Sequence, residues 1–89
     1  MPFSIGDVFV SVADGKVQWR DSAGAFIATL DTGLGGFTTG MAFDSSGNLY
    51  VTNFSADTVS KFDNDGNFIG TFGTGYSGAP ESIVFDSAG

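Results

Sequence analysis

The chain contains no cysteine and no histidine. Without cysteine there is neither a disulfide nor a thiolate metal site, and the redox compartment is left open. Without histidine the commonest general base at neutral pH and the commonest transition-metal ligand are both missing. Positive charge is scarce as well: Lys16, Arg20 and Lys61 stand against ten acidic residues, for a net charge of −7. A phosphate backbone is bound by clustered Lys and Arg, so nucleic acid is not expected as a partner. Anionic membrane surfaces are disfavoured for the same reason. No apolar run approaches the length of a membrane span. The opening Met1-Pro2-Phe3-Ser4-Ile5 has neither the basic nor the apolar region of a signal peptide, and localisation stays open.

Glycine and phenylalanine are abundant instead, with fourteen Gly and ten Phe in 89 residues. That length allows at most one small domain. Each Gly inside a helix would cost about 1 kcal/mol relative to Ala, which argues against long helices. Regular Phe, Val, Ile and Thr with only two Pro point to short strands and tight turns. The expected class is all-β.

The chain repeats itself. Asp-x-x-Gly occurs four times, beginning at Asp21, Asp44, Asp63 and Asp86. The spacings alternate, so the period is two motifs, or 42 residues. Aligning residues 17–47 with 59–89 leaves 13 of 31 positions identical without a gap, too many for coincidence. Upstream the frame slips by one residue, and Gly6-Asp7-Val8-Phe9-Val10 matches Gly47-Asn48-Leu49-Tyr50-Val51. The extra residue falls in the turn after the strand, where insertions are tolerated. Four strands are expected in the second copy, near residues 40–43, 49–53, 59–62 and 68–72. Three are expected in the first, at 7–12, 16–20 and 26–30. The Asp-x-x-Gly segments are the connecting turns, with Asp bonding its own following backbone and Gly supplying a positive φ. Leu49-Tyr50-Val51 and Val8-Phe9-Val10 are continuous apolar runs, which predicts strands buried on both faces. A four-stranded meander of about 40 residues covered on both faces is the description of a propeller blade.

Residues 43–53, FDSSGNLYVTN, and 58–73, TVSKFDNDGNFIGTFG, resemble the NHL-repeat β-propeller family. The likeness covers nearly the whole chain and concerns the blade rather than an activity. The first copy departs from it, with Trp19-Arg20 where Lys61-Phe62 stands in the second, and Phe54-Ser55-Ala56-Asp57 replaces the family's polar turn. The resemblance implies that the strand before each Asp-x-x-Gly is innermost, lining a channel, with three strands following outward.

On that order, residues 6–36 form the outer three strands of one blade and 37–78 a complete second blade. Residues 79–89 form a lone innermost strand. The two blades cannot curl far enough for this last strand to meet the N-terminal one within a single chain, so a ring closed by copies of the chain is expected. Val8, Phe9 and Val10 of one copy then meet Ile83, Val84 and Phe85 of the next. Small stacked repeats generally need three or more units, which also favours assembly. With two blades per chain, a trimer gives six and a tetramer eight. The family resemblance favours six, hence the trimer. Such a chain would be an excised or engineered piece of a longer propeller. Phe43 and Phe85, ending equivalent strands, are expected to be buried, and the outer sheet faces to be strongly apolar.

Chemistry is sparse. Asp63, Asp65 and Asn67 resemble part of a calcium loop, but no downstream bidentate Glu completes it. The competing reading is a turn, used in all four copies of the motif. NHL-like lyases and propeller lactonases imply His and carboxylates around the channel; with no His, neither chemistry transfers, and Thr39 replaces Glu81 in the first copy. No catalytic residue, cofactor or metal is therefore assigned, and an enzyme is not expected. A multivalent sugar-binding ring is the alternative, with Trp19 and Tyr76 as stacking surfaces and Tyr50 as core. Asn53-Phe54-Ser55 fits a glycosylation acceptor in a secreted eukaryotic setting.

Overall fold

The computed structural model describes residues 2–73, 75–76 and 78–86. It is all-β, with no helix among those residues. Strands β1 (Val8–Val12), β2 (Lys16–Arg20) and β3 (Phe26–Asp31) form one sheet. Strands β4 (Thr38–Phe43), β5 (Leu49–Asn53), β6 (Thr58–Phe62) and β7 (Phe68–Thr71) form a second. Both are antiparallel meanders in chain order. The seven strands expected between residues 7 and 72 are present within two residues of their expected ends. β4 begins earlier than expected because an irregularity between Thr38 and Met41 lets Thr38 still pair with Asn53.

The turns between β2 and β3, β4 and β5, and β6 and β7 share one construction. Oδ1 of Asp21 accepts from the backbone N–H groups of Ala23 and Ala25. Asp44 does the same for Ser46 and Asn48, and Asp63 for Asp65 and Asn67. The closing glycines Gly24, Gly47 and Gly66 have φ of 86°, 82° and 85°, a region L-residues with a Cβ rarely enter. The fourth copy of the motif, from Asp86, runs outside the described residues.

The two sheets stack face to face. Registered pairs put Phe9 with Trp19 and Val17 with Leu30 on one side of the first sheet. They put Leu49 with Phe62 on one side of the second. Val17, Trp19, Leu30, Leu49, Val51 and Phe62 form the shared buried core. Phe3, ahead of the first strand, wedges into its end with edge-on contacts to Phe9, Trp19 and Phe43 at 4.8–5.8 Å. Polar bonds fix the junction: Thr38 Oγ1 donates to the Lys16 carbonyl at 2.8 Å, and Ser11 Oγ to the Thr39 carbonyl at 3.1 Å.

Candidate functional site

The first sheet ends at β1, whose outer edge carries no strand among the described residues. Val8 and Val10 are 43% and 41% exposed, although their run predicted burial on both faces. The registered pairs of β1 and β2 put Val8, Val10 and Val12 on one face with Arg20, Gln18 and Lys16, facing away from the second sheet. That face is apolar along β1 and at Phe26 of β3, which pairs with Arg20, but polar along β2, which corrects the expected strongly apolar sheet face. The alternation in Lys16-Val17-Gln18-Trp19-Arg20 was the sequence signal for it.

The far face of the second sheet carries Tyr50, Thr52, Val59 and Lys61. The chain returns over it after β7. Phe72 and Phe85 meet the Tyr50 ring edge-on at 5.0 and 4.8 Å, leaving Tyr50 4% exposed and Val59 2%. Thr39 Oγ1 donates to the Pro80 carbonyl and lies 2.8 Å from Thr52 Oγ1. Gly40 is the notch for this crossing: a Cβ there would lie 2.6 Å from Ser82 Cα. Residues 82–86 form no strand, contrary to the expectation of one, because among the described residues no strand runs beside Ser82–Phe85 to form a ladder. Ile83 and Phe85 turn toward cover while Val84 is 86% exposed.

This seat reproduces the one between the two sheets. Phe43 meets Phe9 edge-on at 5.1 Å, and Phe85 meets Tyr50 in the same way at 4.8 Å. Phe43 and Phe85 are equivalent in the repeat, as are Phe9 and Tyr50. The tail therefore lies on the second sheet as β4 lies against the first. Phe43 remains 43% exposed, short of the burial expected of it, because Phe3 and Phe9 cover it from one side only.

The other sequence candidates fall elsewhere. Asp63 spends both carboxylate oxygens inside its turn, with Oδ2 accepting from the Asn67 side chain at 3.3 Å. Asp65 and Asn67 are exposed. Among the described residues no three acidic side chains gather into a cluster. Trp19 is 3% exposed, stacked parallel to Phe9 and edge-on to Phe3, with Nε1 donating to Asp7 Oδ2 at 2.9 Å. That packing leaves the ring no free face for a ligand. Tyr76 is half-buried, and its hydroxyl donates to the Phe72 carbonyl. Asn53 is 2% exposed and donates Nδ2 to Thr58 and Ser60, so the fold closes the glycosylation acceptor. Glu81 lies exposed beside the Gly40 notch. An open cavity of about 300 Å³ between the N-terminal segment and the sheets is lined by Phe3, Ile5, Phe9 and Phe43, with Asp7 and Asn64 as polar members.

One electrostatic network crosses the far face. Asp44 Oδ2 accepts from the Tyr50 hydroxyl at 3.0 Å and from Asn48 Nδ2 at 3.1 Å. Desolvation works to raise its carboxyl, but bonds from Asn48, Tyr50 and Ser46 outweigh it and hold it below the ordinary value. Asp63 is likewise lowered, chiefly by the Asn67 backbone. The Tyr50 side chain, with Asp44 beyond it, raises the Lys61 ammonium, which sits 5.2 Å from the Tyr50 ring centre. All three cations of the chain thus stand on the two outward faces.

Sequence reasoning missed Gly40 and Phe3. Gly40 is one of fourteen glycines, and its repeat partner Ser82 carries no sign of a close approach. Phe3 precedes the repeat. Compared with family models and with curated proteins, the chain matches none of either.

Proposed function

We propose that the chain is a two-blade β-propeller module of the NHL-repeat kind, which closes a ring with copies of itself and acts as a structural or binding scaffold. The observation that carries this reading is the repeated seat: Phe85 lies on Tyr50 as Phe43 lies on Phe9. A junction used twice at a 42-residue step is a stacking rule that a further copy can continue. Such contacts are head-to-tail, and they give a ring when the rotation closes. Six blades from three copies is the preferred ring, and eight from four the alternative.

The reading includes no catalysis. The buried Trp19 weakens the alternative of a sugar-binding ring, which would rest on Tyr76 alone; a glycan array on the assembled protein tests it. Light scattering on the 89-residue chain at micromolar concentration tests the ring. Three times the chain mass of 9.2 kDa supports six blades and four times supports eight, whereas a well-folded monomer overturns the proposal.

A further inference from the structure

We infer that the free edge of β1 takes residues 82–86 of a second copy as an antiparallel strand, with Ile83 opposite Val10, Val84 opposite Phe9 and Phe85 opposite Val8. This rests on the ring reading and specifies its junction. The register comes from the pair already formed in the second sheet, where Met41 faces Val51, Ala42 faces Tyr50 and Phe43 faces Leu49. Residues 83–85 repeat 41–43 at an offset of 42, and residues 8–10 repeat 49–51 at an offset of 41. Applying both offsets leaves one register. A slip of one residue would turn every side chain to the opposite face.

Three further observations identify the occupant. Residues 82–85 already lie on the second sheet as β4 lies against the first, and they form no strand there. The tail is preordered, so less conformational entropy is lost when it pairs. Second, the tail and β1 stand on opposite sides of the second sheet: Tyr50 beneath the tail faces away from Leu49 and Val51, which face the first sheet. A chain's own tail is thus kept from its own β1, and a second copy must supply the strand. Third, the β1 edge is unguarded. Exposed edges in monomers are usually blunted by Lys, Pro or a bulge, whereas Val8-Phe9-Val10-Ser11-Val12 has none and pairs with β2 without a break. Ile83, Val84 and Phe85 match it in apolar character, and cross-strand apolar pairs of this kind stabilise sheets.

The absence of cysteine makes the register directly readable. Opposed residues in an antiparallel pair have Cα atoms about 4.5–5.5 Å apart, within disulfide reach. The double variant Ile83→Cys with Val10→Cys is expected to oxidise almost completely between copies, giving a covalent ladder up to the full ring on a denaturing gel. The control Val84→Cys with Val10→Cys places its thiols on opposite faces and is expected to cross-link at least tenfold less. Light scattering of the unmodified chain runs alongside. An oligomer in which the control cross-links as readily overturns the register but leaves the ring standing. An oligomer in which neither cross-links overturns the strand donation, and a monomer removes both. If the cysteines themselves disturb assembly under reducing conditions, hydrogen exchange on the unmodified chain decides. The β1 amides facing the edge must become protected as concentration rises into the assembled range, and unchanged exchange overturns the inference.

Discussion

Leu49-Tyr50-Val51 and Val8-Phe9-Val10 are one motif in two copies, yet they have different surroundings. In β5 the three residues are 0%, 4% and 0% exposed. In β1 the outer two are more than 40% exposed and the Phe half-buried. β5 has β4 and β6 as ladder partners, the first sheet on one face and the returning tail on the other. Among the described residues β1 has β2 alone as a ladder partner, and its Val8 face is open. Burial here follows position in the stack of sheets, not hydrophobicity, because apolar area is removed from water only where a neighbour stands.

The largest expected effect breaks the comparison at its core. Leu49→Ala should cost about 2–5 kcal/mol, as a fully buried Leu truncation, measured by chemical denaturation. Val8→Ala, at the equivalent position, should cost under about 1 kcal/mol in dilute monomer. On the ring reading its cost grows with protein concentration, because burial then comes from a second copy. A concentration-independent value at Val8 would separate the two motifs for good.

Gly40→Val attacks the tail's seat. The first added carbon would fall 2.6 Å from Ser82 Cα, an overpacking expected to cost about 1–3 kcal/mol. Because Phe85 covers Tyr50, the variant should also show faster exchange at the β5 amides. An unaltered β5 would mean that the tail gives it no protection.

Asp7 and Asn48 are the next difference between the copies, and Asp7→Asn removes it. The amide keeps an acceptor for Trp19 Nε1, so the fold should be retained. The proposed register brings Asp86 of one copy close to Asp7 of the other. Losing that like-charge contact, worth up to about 1 kcal/mol at a surface, should tighten assembly by up to about fivefold. Sedimentation at several concentrations measures it.

Acid should act on the second sheet's turns. Asp44 and Asp63 are held below the ordinary carboxylate value, so their contribution is present above about pH 3.9 and lost as pH falls through their folded values. Lys61 is raised, so its contribution is complete below about pH 10.4 and lost above. Stability should be flat between these limits, and denaturation midpoints across pH check it. The smallest expected effect is that of calcium. Asp63 spends its oxygens on its own turn, so millimolar calcium should leave the melting temperature unchanged. A rise of several degrees would mean that the turn binds the ion.

Much of the fold was legible because strand and turn signals are local. Alternation in Lys16-Val17-Gln18-Trp19-Arg20 marks a one-sided strand, and Asp-x-x-Gly brings a self-capping acid and a positive-φ residue within one turn. The proposed assembly surface was legible only through the repeat, since an offset of 42 residues states which segments are equivalent. Trp19 shows the limit: as an aromatic in a small chain it suits a ligand platform, and only the arrival of Phe3 and Phe9 on its faces removes it. Asn53 shows it too, for an acceptor motif carries no record of the Thr58 and Ser60 hydroxyls that close over it.

By itself the sequence determined the all-β class, the two meanders, the turn chemistry and the absence of histidine and thiol chemistry, because each depends on residue type and short-range spacing. The tertiary structure alone decided that β5 is enclosed while β1 is bare, that Gly40 is a notch, that Phe43 stays half in water, and that the three cations lie on the outward faces. Those outcomes depend on what stands across a sheet from a residue, and contacts between residues some 40 positions apart leave no mark in the local pattern of either.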